Sequence, residues 1–207
     1  LGEHGSHKEQ DITPQDSLQE IVDKVTQKNI QCLRDTQRLL LLDELEQCVD
    51  LVEKARTVLL FGIGSSLCVA KDTYLKFLRL DKPCVVNEDW HSQLLQARNA
   101  APEDVGIVFS YSGQTYEMIQ CIKEMKASGA PVIAVTRYYP SEVAQLADHV
   151  LYVAANESLF RNGAMSSRLS QLNVMDILYT AYASRHQEDT IRRLTKTHIS
   201  KDGDTRK

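Results

Sequence analysis

The sequence has no long hydrophobic run. Its longest apolar stretches, such as Leu39–Leu42 and Val58–Phe61, are the size of buried elements. A membrane-spanning helix needs about 18–20 apolar residues, so a membrane-spanning role is excluded and no membrane partner is expected. Nor is there a surplus of positive charge. Lys and Arg number 24 against 28 Asp and Glu, a net charge of −4, which argues against a domain built to hold DNA by its phosphates. Cysteine is sparse: Cys32, Cys48, Cys68, Cys84 and Cys121 lie apart with no C-x-x-C spacing. Neither a zinc site nor a disulfide framework is expected, and a cytoplasmic location is the default. The histidines His4, His7, His149, His186 and His198 lack metal-ligand spacing, so no metal or cofactor is expected. No G-K-[ST] occurs, which removes the P-loop. No secretory signal pattern opens the chain, and neither does a Met. Starting at Leu1, it reads as a fragment or processed form of something longer.

What is present is ordinary globular composition, 43% hydrophobic and 25% charged over 207 residues. That is enough for one sizeable core and too little for two full-sized domains. Residues 1–16 carry no periodic apolar face and read as a linker or arm, or in part as a cloning scar at Gly5-Ser6-His7. Ser17-Leu18-Gln19-Glu20 is a capping box. Leu18, Ile21, Val22, Val25, Leu33 and Leu40 then recur at helical spacing, with Asn29 and Thr36 between them, which predicts a long amphipathic helix to about Leu42. Asp43 to Glu46 repeats the cap signal and predicts a second, shorter helix.

From Thr57 the pattern changes to short apolar runs alternating with helical stretches. Strands are predicted at Thr57–Phe61, Cys84–Asn87, Val105–Phe109, Val132–Thr136 and Val150–Ala154. Helices are predicted at about Leu67–Arg79, Trp90–Arg98, Thr115–Ser128, Glu142–Ala147 and Ala164–Ser184. Unbroken apolar strands separated by helices imply a parallel sheet covered on both faces. The fold class is therefore α/β, a three-layer α-β-α sandwich on a five-stranded parallel sheet. It spans residues 17–184 with the N-terminal helices included, and a polar, fraying tail over 185–207 follows.

In such sheets ligands bind beyond the carboxyl ends of the strands. The first junction reads Phe61-Gly62-Ile63-Gly64-Ser65-Ser66 and the third Ser110-Tyr111-Ser112-Gly113-Gln114-Thr115. Glycine permits close backbone approach, and helix-start amides joined by hydroxyls can hold an anion without Lys or Arg. Ser112 and Thr115, with the amides of Gly113 to Thr115, make a cradle suited to a phosphate monoester. Ser65 and Ser66 lie across the crevice, where a polyol's hydroxyls would meet them. One such turn alone would read as a helix cap; two at alternate strands of one sheet point to a site. A dinucleotide fingerprint fails. Gly62-x-Gly64 and Glu88 are suggestive, but Leu67 holds the third glycine position, where it would block close helix–strand approach.

These two loops resemble the sugar isomerase (SIS) domain family, which binds phosphosugars at its S-x-S-G-x-T loop. Asn156-Glu157-Ser158 through Arg161, Ser166–Leu172, Asp176–Tyr179 and Val69-Ala70-Lys71-Asp72 resemble more particularly the RpiR/MurR-type bacterial transcription regulators. The resemblance implies a phosphosugar-sensing effector domain, not an enzyme, with Gly64, Ser65, Ser66, Ser110, Ser112, Gly113, Gln114, Thr115 and Glu157 as ligand-binding residues. It implies a homodimer or tetramer, through the first long helix or the Ala164–Ser184 helix. Operator DNA would be reached only through a helix-turn-helix domain absent from this chain. The alternative is an aldose–ketose sugar phosphate isomerase with Glu157 as base; a plain helix cap is the remaining reading of that acid. His91 reads as a cap or interface residue, and Arg161 and Arg168 as phosphate partners or as supports of their own segment.

Overall fold

The computed structural model describes residues 12–154 and 165–199. The N-terminal pair α1 (Leu18–Leu39) and α2 (Leu42–Lys54) leads into an alternation of strands and helices. These are β1 (Val58–Gly62), α3 (Ser65–Arg79), β2 (Cys84–Val86), α4 (Trp90–Arg98), β3 (Val105–Phe109), α5 (Tyr116–Ala127), β4 (Val132–Arg137), α6 (Glu142–Leu146) and β5 (His149–Val153). Then come α7 (Met165–Arg185) and α8 (Gln187–Lys196). The five strands form one parallel sheet in the order β2-β1-β3-β4-β5.

Alternation along each strand divides the core into two. Val58, Leu60, Ile107, Phe109, Ile133 and Val135 pack with α2, α3 and α7. Leu59, Phe61, Val108, Val132 and Ala134 pack with α4, α5 and α6. Every residue of β1 and β3 is buried, which is why their sequences are continuously apolar. The predicted three-layer sandwich is the observed one.

The capping box at Ser17 forms: its amide donates to Glu20 Oε2 at 2.7 Å and its hydroxyl accepts from the Glu20 amide at 3.3 Å. The polar interruptions of the α1 stripe are used. Thr36 is buried and its Oγ1 accepts from the Ala154 amide at 3.0 Å, securing the end of β5, while Asn29 Oδ1 accepts from Ser166 of α7. Only the second half of α1 is covered, however, because Leu18 and Val22 are exposed.

Three expectations are corrected. The second helix begins at Leu42 with no side-chain cap; Asp43 lies inside its first turn, where an acid favours the helix dipole instead. Within the tail expected to fray, Gln187–Lys196 forms α8, where Arg193 and the following Thr197 donate to the Leu80 and Arg79 carbonyls at the end of α3. The close helix–strand approach that Leu67 should block is made at Gly62, where a Cβ would lie 2.8 Å from the Ser66 carbonyl oxygen and 3.1 Å from the Leu67 amide nitrogen.

The opposite, amino edge of the sheet is tied by Asp104. It is 3% exposed and accepts from the Arg56 guanidinium at 2.8 and 3.0 Å and from the Ala101 amide at 2.9 Å. Burial alone would raise its pKa, but the Arg56 and Ala101 hydrogen bonds outweigh that and hold it below the ordinary 3.8. A depressed folded-state value contributes stability that is complete above the unfolded pKa and lost as pH falls through the folded one. Asp104→Asn should therefore lower the urea midpoint at pH 7, and its gap from the parent should close as the pH is taken below 3.8. A gap independent of pH would show that charge plays no part.

Candidate functional site

β1 and β3 run side by side in register from Val58–Val105 to Gly62–Phe109, then part. The chain leaving β1 enters α3 on one face of the sheet, and that leaving β3 enters α5 on the other. Such a divergence opens a crevice at the carboxyl edge.

Backbone requirements shape both walls. Gly64 has φ 61° and ψ −127°, a combination that disfavours any residue with a Cβ, and it serves as the N-cap of α3 with no side-chain hydrogen bond. Thr115 serves α5 in the same way, again without a side-chain cap. Two helix starts thus present amides to the crevice with no side-chain acceptor taking them. Gly113 has φ 66°, donates to the Ser110 carbonyl at 3.1 Å and accepts from the Val143 amide at 3.1 Å. The hydroxyl loop is thereby fixed to the start of α6.

The hydroxyls form a linked set. Ser110, 2% exposed, donates to Thr115 Oγ1 at 3.1 Å; Ser112 Oγ lies 3.5 Å from the same oxygen and accepts from the Gln114 amide. Across the crevice Ser66, 7% exposed, donates to Gln171 Oε1 of α7 at 3.4 Å. Between the loops lies a cavity of about 390 Å³, within the range of small-molecule sites. Of the residues singled out by sequence, Gly64, Ser65, Ser66, Ser110, Ser112 and Thr115 line it together. Gly113 and Gln114 do not. Gly113 acts through backbone and packing, and Gln114 is exposed. Glu157 and Arg161 lie outside the described residues.

Other expectations resolve elsewhere. Glu88 pairs with Lys71 at 2.7 Å. Asp89, not His91, caps α4 by accepting from the Ser92 amide at 2.9 Å, and that hydrogen bonding holds its carboxyl below the ordinary range. Arg168 is exposed on α7. Burial pushes the thiols of Cys48, Cys84 and Cys121 up to about 12, which leaves those three without thiolate reactivity near neutral pH.

Sequence reasoning missed two supports of the site. Gln93, fully buried on α4, accepts from the Gly62 amide at 3.1 Å and donates to its carbonyl at 3.0 Å. β2 pairs with β1 only as far as Leu60–Val86, so the Gln93 amide continues the ladder where the strand has run out. Gln171 holds Ser66 and is 1% exposed, with its Nε2 unpartnered. A glutamine inside a helix carries no local signal of either role.

The family described as "SIS domain" matches residues 51–181. A curated relative from Caldanaerobacter subterraneus, described as an HTH-type transcriptional regulator, is 37% identical over 186 residues, which are 90% of this chain and 66% of that protein. The chain thus spans about two-thirds of its relative's length. Among solved structures, Vibrio vulnificus NanR complexed with ManNAc-6P has a TM-score of 0.81 and 25% identity, over 86% of this chain and 67% of that one. The sugar isomerase domain of an RpiR transcription factor from Sphaerobacter thermophilus has a TM-score of 0.78 and 22% identity, over 86% and 97% of the two chains. Phosphoheptose isomerase GmhA from Neisseria gonorrhoeae shares the fold with a TM-score of 0.69 and 18% identity, over 81% of this chain and 100% of that one.

Proposed function

This chain belongs to the SIS domain family, and from that premise we propose that it is the phosphosugar-sensing effector part of an RpiR-type transcription regulator. The observation that carries the reading is the cavity at the parting of β1 and β3, walled by two helix starts without side-chain caps and by five serine and threonine residues. In this reading the phosphate is held by Ser112, Thr115 and the first amides of α5, with Ser110 orienting Thr115. Ser65 and Ser66 face the sugar hydroxyls, and Glu157 accepts from a further hydroxyl or an amino-sugar nitrogen. The exposed Leu18 and Val22 of α1 supply a face for a second copy. Binding favours one arrangement of the resulting dimer and so changes operator affinity through a helix-turn-helix domain outside these 207 residues. Action on operator DNA implies a cytoplasmic protein; among the described residues no helix is long and apolar enough to cross a membrane.

A panel of hexose and amino-sugar phosphates in a thermal-shift assay tests this. A ligand at about 100 times its Kd adds about 2.7 kcal/mol, or roughly 5–10 °C in Tm for a chain of this size. Ser112→Ala removes one hydrogen bond to a charged group and should weaken binding about 10–100-fold. Failure of every phosphosugar to stabilise the protein would overturn the reading. The isomerase members of the fold give the second reading its support, with Glu157 as base. Solvent deuterium uptake into fructose 6-phosphate or glucose 6-phosphate, abolished by Glu157→Gln, would establish an enzyme instead.

A further inference from the structure

Arg137 is the last residue of β4, at the same carboxyl edge as the cavity. It follows Ile133 and Val135 in strand alternation, so its side chain leaves the sheet on the α7 side, where Tyr111 also packs. Its guanidinium carbon stands 4.7 Å from the centroid of the Tyr139 ring and 6.0 Å from that of Tyr111. Tyr111 is a wall of the cavity. The Arg137 amide donates to the Tyr111 carbonyl at 3.2 Å, and Thr136 Oγ1 donates to the same oxygen. The arginine is therefore held in fixed relation to the hydroxyl loop, one aromatic ring from the phosphate cradle.

Its polar atoms are not served in the same way. Nε is buried with no hydrogen-bond partner, and among the described residues Arg137 makes no ion pair. Two ring faces attract a cation but offer no acceptor to its five N–H donors. The planar fork matches a carboxylate, which it grips by two parallel hydrogen bonds. The cradle of Ser112 and Thr115 already provides for one anion without any charged side chain.

We propose that Arg137 is a second anion subsite and that the ligand is a sugar phosphate carrying a carboxylate away from its phosphate. This rests on the phosphosugar reading and narrows it to acidic phosphosugars. Tyr139 and Tyr111 keep the guanidinium at this edge of the sheet, and the cradle and the fork grip opposite ends of one molecule.

Isothermal titration of the intact chain with matched pairs tests it: 6-phosphogluconate against glucose 6-phosphate, and glucuronic acid 1-phosphate against glucose 1-phosphate. At least one acid should bind about 10-fold or more tighter than its neutral partner, a difference of one bidentate ion pair. Arg137→Met should erase that preference while leaving the neutral sugar's affinity within threefold. Its unliganded melting temperature should stay within about 3 °C of the parent, the scale of one weak contact in a chain of this size. Arg137→Lys should keep only part of the preference, because an ammonium lacks the fork. If neutral members bind and no acid is favoured, or if Arg137→Met weakens both members alike, the subsite is wrong and the phosphosugar reading stands. If no member of either pair binds, the acidic-phosphosugar proposal falls, and the panel of hexose and amino-sugar phosphates decides the phosphosugar reading separately.

Discussion

Gly113→Ala is expected to abolish measurable phosphosugar binding and to lower stability by about 2–4 kcal/mol. Two independent effects add. The residue sits at φ 66°, where a Cβ is strained. That Cβ would also lie 2.2 Å from Ser141 Oγ, 2.5 Å from Ser141 Cβ and 3.0 Å from Thr136 Oγ1. Ser141 is buried and serves as the cap of α6, accepting from the Ala144 amide, so it cannot swing aside without uncapping that helix. The loop must move instead, and Ser112 and Thr115 move with it. Urea denaturation measures the loss of stability and calorimetric titration the loss of binding. A variant that binds as its parent does would mean that the cradle is not fixed by this packing.

Phe77→Ala is expected to cost about 3–5 kcal/mol, the usual range for emptying a buried aromatic site. Phe77 is fully buried on α3 and meets the rings of Tyr179 and Tyr182 of α7 edge-on, at 6.0 and 5.7 Å between centroids. The ring is the principal aromatic contact between the two helices. The urea midpoint should fall with the slope of the transition unchanged. Phosphosugar affinity below the melting temperature should change by less than about threefold, because Phe77 lies some 18 Å along the helix from Ser65. Lost affinity in a folded variant would show that α3 transmits its packing to the loop.

The two predictions separate what is local from what is not, and sequence legibility divides along the same line. The strands were legible because burial on both faces demands unbroken apolar runs, and β3 falls on its predicted limits, Val105–Phe109. The hydroxyl loops were legible because there are two of them, at alternate strands of one sheet, where a single such turn would have read as a helix cap. The Ser17 box was legible because its hydrogen bonds close within three residues. The cap signal at Asp43 misled because an acid in the first turn looks the same in sequence as an acid at the cap.

The sequence by itself determined the α/β alternation, the parallel sheet and the chemistry of its two loops. These follow from periodicity and turn requirements that act over a few neighbouring residues. Only the tertiary structure decided that Gln93 completes the β1 ladder, that Gln171 holds Ser66, and that Arg137 meets the rings of Tyr139 and Tyr111 beside the site. The physical reason is chain path. Gln93 meets Gly62 across 31 positions and Gln171 meets Ser66 across 105, and such pairings exist only once the sheet order has brought the strand ends and helix faces together.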